Sequence, residues 1–308
     1  MSTIVLALAW FVLVNATASF VSWSLGLSLP ALKRRDQPHL LLLVRLLPAG
    51  ASLLFVTVMF LPSHWAMEPR DANETLGVAW YGFAAAGAWL LGRSAAWAVS
   101  IARTGRRLRA GERRADIAIA DVHQVEGVSG VSLAGVFRTR VLIGPEVASS
   151  LSSAELDVAI AHELAHRDAF DNLARWGMRC APDCFGHTRV ARGIEEAWHA
   201  ATEARADARA IDGDARRAVH LASALVKVAR LAADRAAAPF VMVWSTVHDS
   251  ALLEWRVRRL VSGKVPTDDG RRPRPVAAAI LFLIAFAAAL TFSGTVHRLT
   301  ETLVSILP

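Results

Sequence analysis

Hydrophobic positions in this chain come in two textures. Near both ends they form continuous apolar runs; in the middle they recur at helical or strand spacing. The first run, Ile4 to Leu29, contains no ionisable side chain, and three more follow at His39–Leu61, Leu76–Ile101 and Val276–Val296. At about 1.5 Å of rise per residue each is long enough to cross a hydrocarbon layer of about 30 Å. The pattern predicts an α-helical membrane protein with four transmembrane helices. A membrane region covers 1–101 (spans about 4–29, 39–61 and 76–101), a polar domain 102–275, and a last helix with a short tail 276–308. Met1-Ser2-Thr3 lacks the basic start of a signal peptide, so the first run reads as an uncleaved span. Arg45 and Arg93 interrupt the second and third runs. Both are expected to snorkel toward an interface, a functional intramembrane charge being the alternative for Arg93. Gly82, Gly87 and Gly92 suit close helix contacts.

Inside 102–275 the period shortens. Asp116–Ala120 alternates polar and apolar residues, and Ala134–Ile143 does so more strongly, with Phe137, Thr139, Val141 and Ile143 expected inward and Arg138 and Arg140 outward. Charges on one face suit an edge strand. Either the arginines are simply solvated, or an extended substrate adds to this edge with Arg138 and Arg140 against it. Ser152-Ser153-Ala154-Glu155 then fits a capping box opening a helix with Leu156, Val158, Ile160 and Leu164. Further helical stretches are expected at Asp168–Cys180, broken near Pro182, and at Arg189–Ile211, 215–235 and Leu252–Leu260. Pro239–Val247 is an apolar segment.

Charge supplies the orientation. The chain carries a formal +7 over 308 residues of which 54 % are hydrophobic, and its basic residues sit beside the apolar runs. Lys33-Arg34-Arg35, six arginines against one glutamate in 102–115, and Arg271-Arg272-Pro273-Arg274 are positive flanks, whereas the loop 62–75 is net −2. Positive flanks mark the cytosolic side, which places the central domain in the cytosol and both termini outside. The same flanks hold that domain near anionic lipid headgroups, and direct nucleic-acid binding is not expected. Cys180 and Cys184 read as reduced thiols, a C-x-x-x-C metal site being the weaker alternative.

The chemistry is concentrated in Ala161–Phe170. His162 and His166 lie one helical turn apart on one face, with Glu163 rotated about 100° away. This H-E-x-x-H pattern, expected by chance in roughly one chain of this length in a hundred, holds zinc by its two imidazoles and leaves a carboxylate beside the open position. Glu163 is the candidate general base, acting on a water acidified by the metal. A third ligand must come from elsewhere. Glu203, in Glu203-Ala204-Arg205-Ala206-Asp207, is the candidate, with Asp207 on the same face to orient a ligating histidine. His220 and His248 read as surface or packing histidines, a transition-state donor being the alternative for each.

His162-Glu163-Leu164-Ala165-His166 with Arg167-Asp168, Asp171-Asn172, Glu203 with Asp207, Arg256-Val257-Arg258-Arg259-Leu260, and the order of three spans, zinc domain and one span resemble the BlaR/MecR-type membrane metallopeptidases, which are gluzincins. The resemblance implies a cytosolic α+β gluzincin-like zinc peptidase domain in a bacterial inner membrane. It implies Zn2+ on His162, His166 and Glu203, Glu163 as general base, and a cytosolic protein substrate, typically a transcriptional repressor inactivated by cleavage. Those sensors carry an extracellular penicillin-binding domain after the fourth span and this chain stops at Pro308, so a short form lacking that sensor is expected. Two other readings compete: a quality-control peptidase resembling the HtpX and CAAX-protease group, and a non-catalytic membrane signalling protein.

Overall fold

The computed structural model describes residues 2–28, 37–67, 76–110, 113–114, 122–125, 128, 130–233, 250–263, 291–292 and 294–307. The chain is chiefly helical, with one small sheet, and divides into two compact units. The first comprises Met1–Ala98, Met178–Glu196 and Arg272–Pro308; the second Val99–Gly177 and Ala197–Arg271. The segment Met178–Glu196, although inside the stretch read from the sequence as one polar domain, therefore belongs with the first unit.

The first unit is built on α1 (Ser2–Ser28), α2 (Pro38–Leu54) continuing through a π-helical turn (Phe55–Phe60) into α3 (Leu61–Met67), and the N-terminal part of α4 (Val78–Ala110). Among the described residues, two helices are long and apolar enough to cross a membrane, Ser2–Ser28 and Pro38–Met67. The third run lies in α4, where Arg93 and many small residues dilute the apolar character. Of the fourth, residues 276–290 and 293 lie outside the described residues, and 294–306 are helical. Leu6, Ala9, Trp10, Phe60, Trp80 and Val296 form the core of this unit. Of the three glycines expected at close contacts only Gly87 makes one: a Cβ there would collide with the Leu8 carbonyl oxygen, while Gly82 and Gly92 have open space around them. Arg45 does not snorkel. It is buried at 5 % exposure and paired with two carboxylates. Arg93 is half-buried, donating to the Asp183 carbonyl oxygen and lying over the Trp89 ring.

The second unit holds a four-stranded sheet of order β1-β2-β4-β3, with β1 at Arg113–Arg114, β2 at Val122–Gln124, β3 at Val131–Ala134 and β4 at Arg140–Ile143. β2 and β4 run parallel, and β3 returns antiparallel to β4 with Leu133 opposite Val141. The expected strand over Ala134–Ile143 is thus split. Gly135 turns the chain at φ 97°, a left-handed conformation in which a Cβ would meet the Arg138 carbonyl oxygen. β3 is an edge strand, as is β1 on the other side, and β4 is internal, with Val141, Leu142 and Ile143 all buried. Phe137, expected inward, sits on the turn and is 79 % exposed. The stretch Asp116–Ala120 lies outside the described residues, as does Pro239–Val247.

Helices α5 (Pro145–Ser150), α6 (Ser153–Asp168), α7 (Asp171–Cys180), α8 (Arg189–Ile211), α9 (Ala215–Ala233) and α10 (Ser250–Val261) follow. Val122, Leu133, Val141, Ile143, Val147, Leu151, Ile160 and Ala224 join the sheet to α5, α6 and α9 in one core. A second core packs Val158, Ala210, Ile211, Ala218, Leu221, Ala222 and Leu260. The site therefore stands on helices fixed at both their sheet-facing and outer sides.

Candidate metal centre

Helix α6 begins where the sequence pattern places it. The Ser152 hydroxyl accepts from the Glu155 backbone N–H, and the Glu155 carboxylate accepts from the Ser152 N–H at 2.8 Å. From this fixed start the helix turns Val158, His162, Ala165 and His166 to its buried face. The two imidazoles stand edge to face with their Nε2 atoms 3.2 Å apart. Glu203 reaches them from α8, its Oε2 3.4 Å from His162 Nε2 and its Oε1 3.4 Å from His166 Nε2. One ligand atom from each of the three buried residues can meet at a single ion.

These spacings fit a small tetrahedral cation. Donors about 2.0–2.1 Å from a zinc ion lie about 3.3 Å from one another at tetrahedral angles. The opposite ring nitrogens are backed by acid. His166 Nδ1 is 2.7 Å from Asp171 Oδ2, and His162 Nδ1 is 3.1 Å from Asp207 Oδ1, close but not aligned for a hydrogen bond. Carboxylates behind the Nδ1 atoms leave both Nε2 atoms for the ion. Asp171 arrives there because the chain reverses sharply after α6, with Phe170 at φ 57°. Arg205 Nη2, 2.6 Å from Asp171 Oδ1, holds that carboxylate in turn.

Arg256 of α10 closes the arrangement. Its Nε and Nη2 donate to Asp207 at 2.9 and 2.6 Å, its Nη1 lies 2.8 Å from Glu203 Oε2, and its Nη2 is 3.4 Å from His162 Nε2. Asp171, Glu203, Asp207 and Glu163 stand against the charges of Arg175, Arg205 and Arg256. Without a cation, protons take its place. Burial pushes the His166 imidazole down, but Glu203 and Asp171 outweigh it and bring its pKa up to about 10. His162 is also raised, by Asp207 and Glu203 against its burial. Burial would raise Glu203, yet Arg256 and the histidines hold it well below the usual carboxylate range. Glu163 moves the other way: burial raises it, against the pull of His162 and His166.

Glu163 faces a cavity of about 110 Å3 whose wall also includes His162, His166, Glu203 and Arg256. Leu221, Leu225, Val228, Leu252 and Leu253 give it an apolar side, and Val131, Ser132 and Leu133 of β3 form its rim. Since the Gly130 carbonyl oxygen accepts from Gly144 N–H, on the β4 side, alternation turns the backbone N–H and C=O of Val131 and Leu133 to the outer edge of β3, while the Leu133 side chain stays in the core. At that edge Asn172 Nδ2 donates to the carbonyls of Leu133 and Gly135 at 2.8 and 2.9 Å, tying α7 to the strand. Arg138 and Arg140 are exposed and do not line the cavity. His220 is not on its wall, and His248 lies outside the described residues. Cys180 and Cys184 are free thiols.

Two residues near His162, His166 and Glu203 had no assigned role in the sequence. Arg256 is flanked at i−4 and i+4 by Leu252 and Leu260, which puts it on the apolar face of α10, unlike Arg258 and Arg259. That position was the available signal. His199, one turn before Glu203, has its Nδ1 3.6 Å from Glu203 Oε1. Burial brings its pKa down to about 4. Its Nε2 is buried without a hydrogen-bond partner among the described residues. No family model matches this chain, and no curated protein or solved structure does either.

Proposed function

We propose that this protein is a membrane zinc metalloendopeptidase whose catalytic domain faces the cytosol and cleaves a soluble regulator, such as a transcriptional repressor. One observation carries the reading: two imidazole nitrogens and a carboxylate, 3.2 to 3.4 Å apart and each buried, with a further acid behind each imidazole. His162, His166 and Glu203 would hold the ion. Zinc, when bound, acts as a Lewis acid toward the scissile carbonyl and acidifies water. The four-span layout and the cytosolic placement rest on the apolar runs and their basic flanks.

The chain's own groups supply the remainder. Glu163, with its raised affinity for protons, takes one from the attacking water and hands it to the leaving nitrogen. The outer edge of β3 aligns an extended peptide by backbone pairing, and Asn172 keeps that strand in register. The leucine-lined wall of the cavity excludes bulk water from the reacting bond. Arg256 and Asp207 keep the two carboxylate-bearing turns of α8 seated.

The decisive comparison is wild type against Glu163→Gln, purified in detergent, assayed for zinc content and for cleavage of candidate regulators and of an unfolded protein. Zinc at one equivalent in both, with cleavage lost only in the variant, is the expected result. Unchanged cleavage in the variant removes Glu163 from the mechanism. Absence of zinc in the wild type removes the enzyme reading, and digestion of unfolded chains at many sites points to quality control in place of signalling.

A further inference from the structure

The first unit contains charged and polar side chains in a setting where such groups are costly. Arg45, Asp183, Asn15, Ser19 and Ser52 are each at most 5 % exposed. Arg45 Nη1 lies 2.8 Å from Asp183 Oδ2. Asp183 Oδ1 accepts from the Ser19 hydroxyl at 2.7 Å and from the Phe185 N–H at 2.8 Å, and its backbone carbonyl accepts from Arg93 at 3.2 Å. Asn15 donates to the Pro182 carbonyl at 3.0 Å and to the Ser52 hydroxyl at 3.2 Å, and it accepts from Cys184 N–H at 3.1 Å. Pro182, Asp183 and Cys184, in the connector between α7 and α8, are thus held by side chains of α1, α2 and α4, all of this unit.

The register of those side chains along their helices sets how deep the connector reaches. Basic flanks put the end of α1 at Ser28, the start of α2 at Pro38 and the end of the third apolar run at Ile101 on one side. Ser19 lies nine residues before the first of these, Arg45 seven after the second and Arg93 eight before the third. At about 1.5 Å per residue, all three partners of Asp183 stand about 10–14 Å in from that side. Asn15 is 13 residues before Ser28 and Ser52 is 14 after Pro38, so each is at the middle of a helix long and apolar enough to cross a membrane. That is about 20 Å in, and the Pro182 carbonyl meets Asn15 there. Gly26, near the end of α1, fits so closely against Val190 and Ile194 that a Cβ would collide with both, which brings the start of α8 back to the side of the basic flanks.

We infer that Pro182–Phe185 form a re-entrant membrane loop: the chain enters the hydrocarbon layer a further time from the side of the basic flanks, reaches about half its depth and turns back. This rests on the reading of the apolar runs as membrane spans. Irregular backbone persists at such depth only where protein satisfies its polar groups, and Asn15, Ser19, Arg45 and Arg93 do so here. The polar positions inside three apolar runs thereby have one common purpose, as the receptacle for this loop. The exposed Arg179 and His187 flank the inserted stretch, and an arginine so placed extends its guanidinium toward the headgroups.

The test uses the full chain in nanodiscs of phosphatidylcholine and phosphatidylglycerol, carrying a small trifluoroethylthio label read by fluorine NMR. Dissolved oxygen concentrates in hydrocarbon and a nickel(II) chelate stays in water, so the ratio of their effects on the label reports its depth. One label sits on Cys184 in a Cys180→Ser background. A second, on Phe185→Cys with both native cysteines replaced by serine, covers the case in which the first perturbs the loop. Leu53→Cys, at an exposed mid-span position, and Ala215→Cys, at the exposed start of α9, give the hydrocarbon and water references. The oxygen-to-nickel ratio at both connector positions is expected to match that of Leu53→Cys, about tenfold above Ala215→Cys. A ratio matching Ala215→Cys at either connector position, in protein of wild-type helicity, overturns the inference and leaves the spans standing. A water-like ratio at Leu53→Cys overturns the reading of the spans, and the inference with it.

Discussion

Arg256 and Asp207 meet through two parallel hydrogen bonds, at 2.9 and 2.6 Å, with both side chains buried. The guanidinium also touches Glu203, so one cation offsets two acids of the candidate metal centre. Removing it leaves both carboxylates without that partner in a low-dielectric setting. Arg256→Met should therefore cost the metal-free protein about 3–5 kcal/mol, as does breaking other buried pairs. The check is the denaturation midpoint with and without zinc. The variant should gain more from added zinc than the wild type does, because the ion supplies charge that the arginine no longer brings.

Asp171 touches the candidate ion only through His166, at 2.7 Å. Asp171→Asn should retain the fold and lower zinc affinity by about 10–100-fold, the usual cost of losing a carboxylate behind a ligating histidine. Competition with a chromogenic chelator measures it.

Metal binding should expel protons. In the metal-free centre Glu203 and Asp171 outweigh burial and bring the His166 pKa up to about 10, so at neutral pH that imidazole holds a proton that an ion must displace. The sign is fixed: raised values mean that affinity falls as the pH drops below them, by about tenfold per unit for each imidazole displaced. Calorimetry of zinc binding at pH 7 in buffers of different ionisation enthalpy should report release of at least about one proton, that of His166. No release would show that the imidazoles are already neutral.

The capping carboxylate of α6 supplies a separate pH dependence. Burial would raise Glu155, but Lys227 at 2.7 Å, Ser223 at 2.6 Å and the Ser152 contacts outweigh it and bring its pKa down to about 2. A value lowered on folding adds stability above the ordinary carboxylate pKa, and that stability is lost as the pH falls from about 4.5 toward 2. Glu155→Gln should weaken the protein at pH 7, by about 1 kcal/mol for the capping interaction, and flatten the acid limb of its stability curve. Urea midpoints at pH 7 and pH 3 distinguish the two effects.

What could be read ahead of the structure was whatever depends on spacing along one helix. The span Arg189–Ile211 appears with the bounds its periodicity predicts, and the capping box starts α6 where Ser152 and Glu155 stand. Glu203 was reachable by pairing its one-turn spacing to Asp207 with the need for a third ligand. Relations between distant segments were not legible. Arg45 looked like a charge seeking the interface because its partners, Asp183 and Glu195, lie well over a hundred residues downstream. The strand expected over Ala134–Ile143 concealed a turn, because Gly135 occupies one place in an otherwise regular alternation and a glycine there was equally compatible with a continuous strand.

The rim strand β3 is four residues long, about 13 Å of extended chain, and only Val131 and Leu133 turn their backbone groups to its outer edge, where Asn172 already holds the Leu133 carbonyl. So short a rail can register only a few backbone positions of any visitor, too little text to single out one protein among many. Choice of target must then be exercised before the bond is reached, by whatever keeps a flexible stretch waiting at the doorway. On the peptidase reading proposed above, a folded regulator with one loose, correctly tethered loop would be cut once, whereas its compact remainder would never be read.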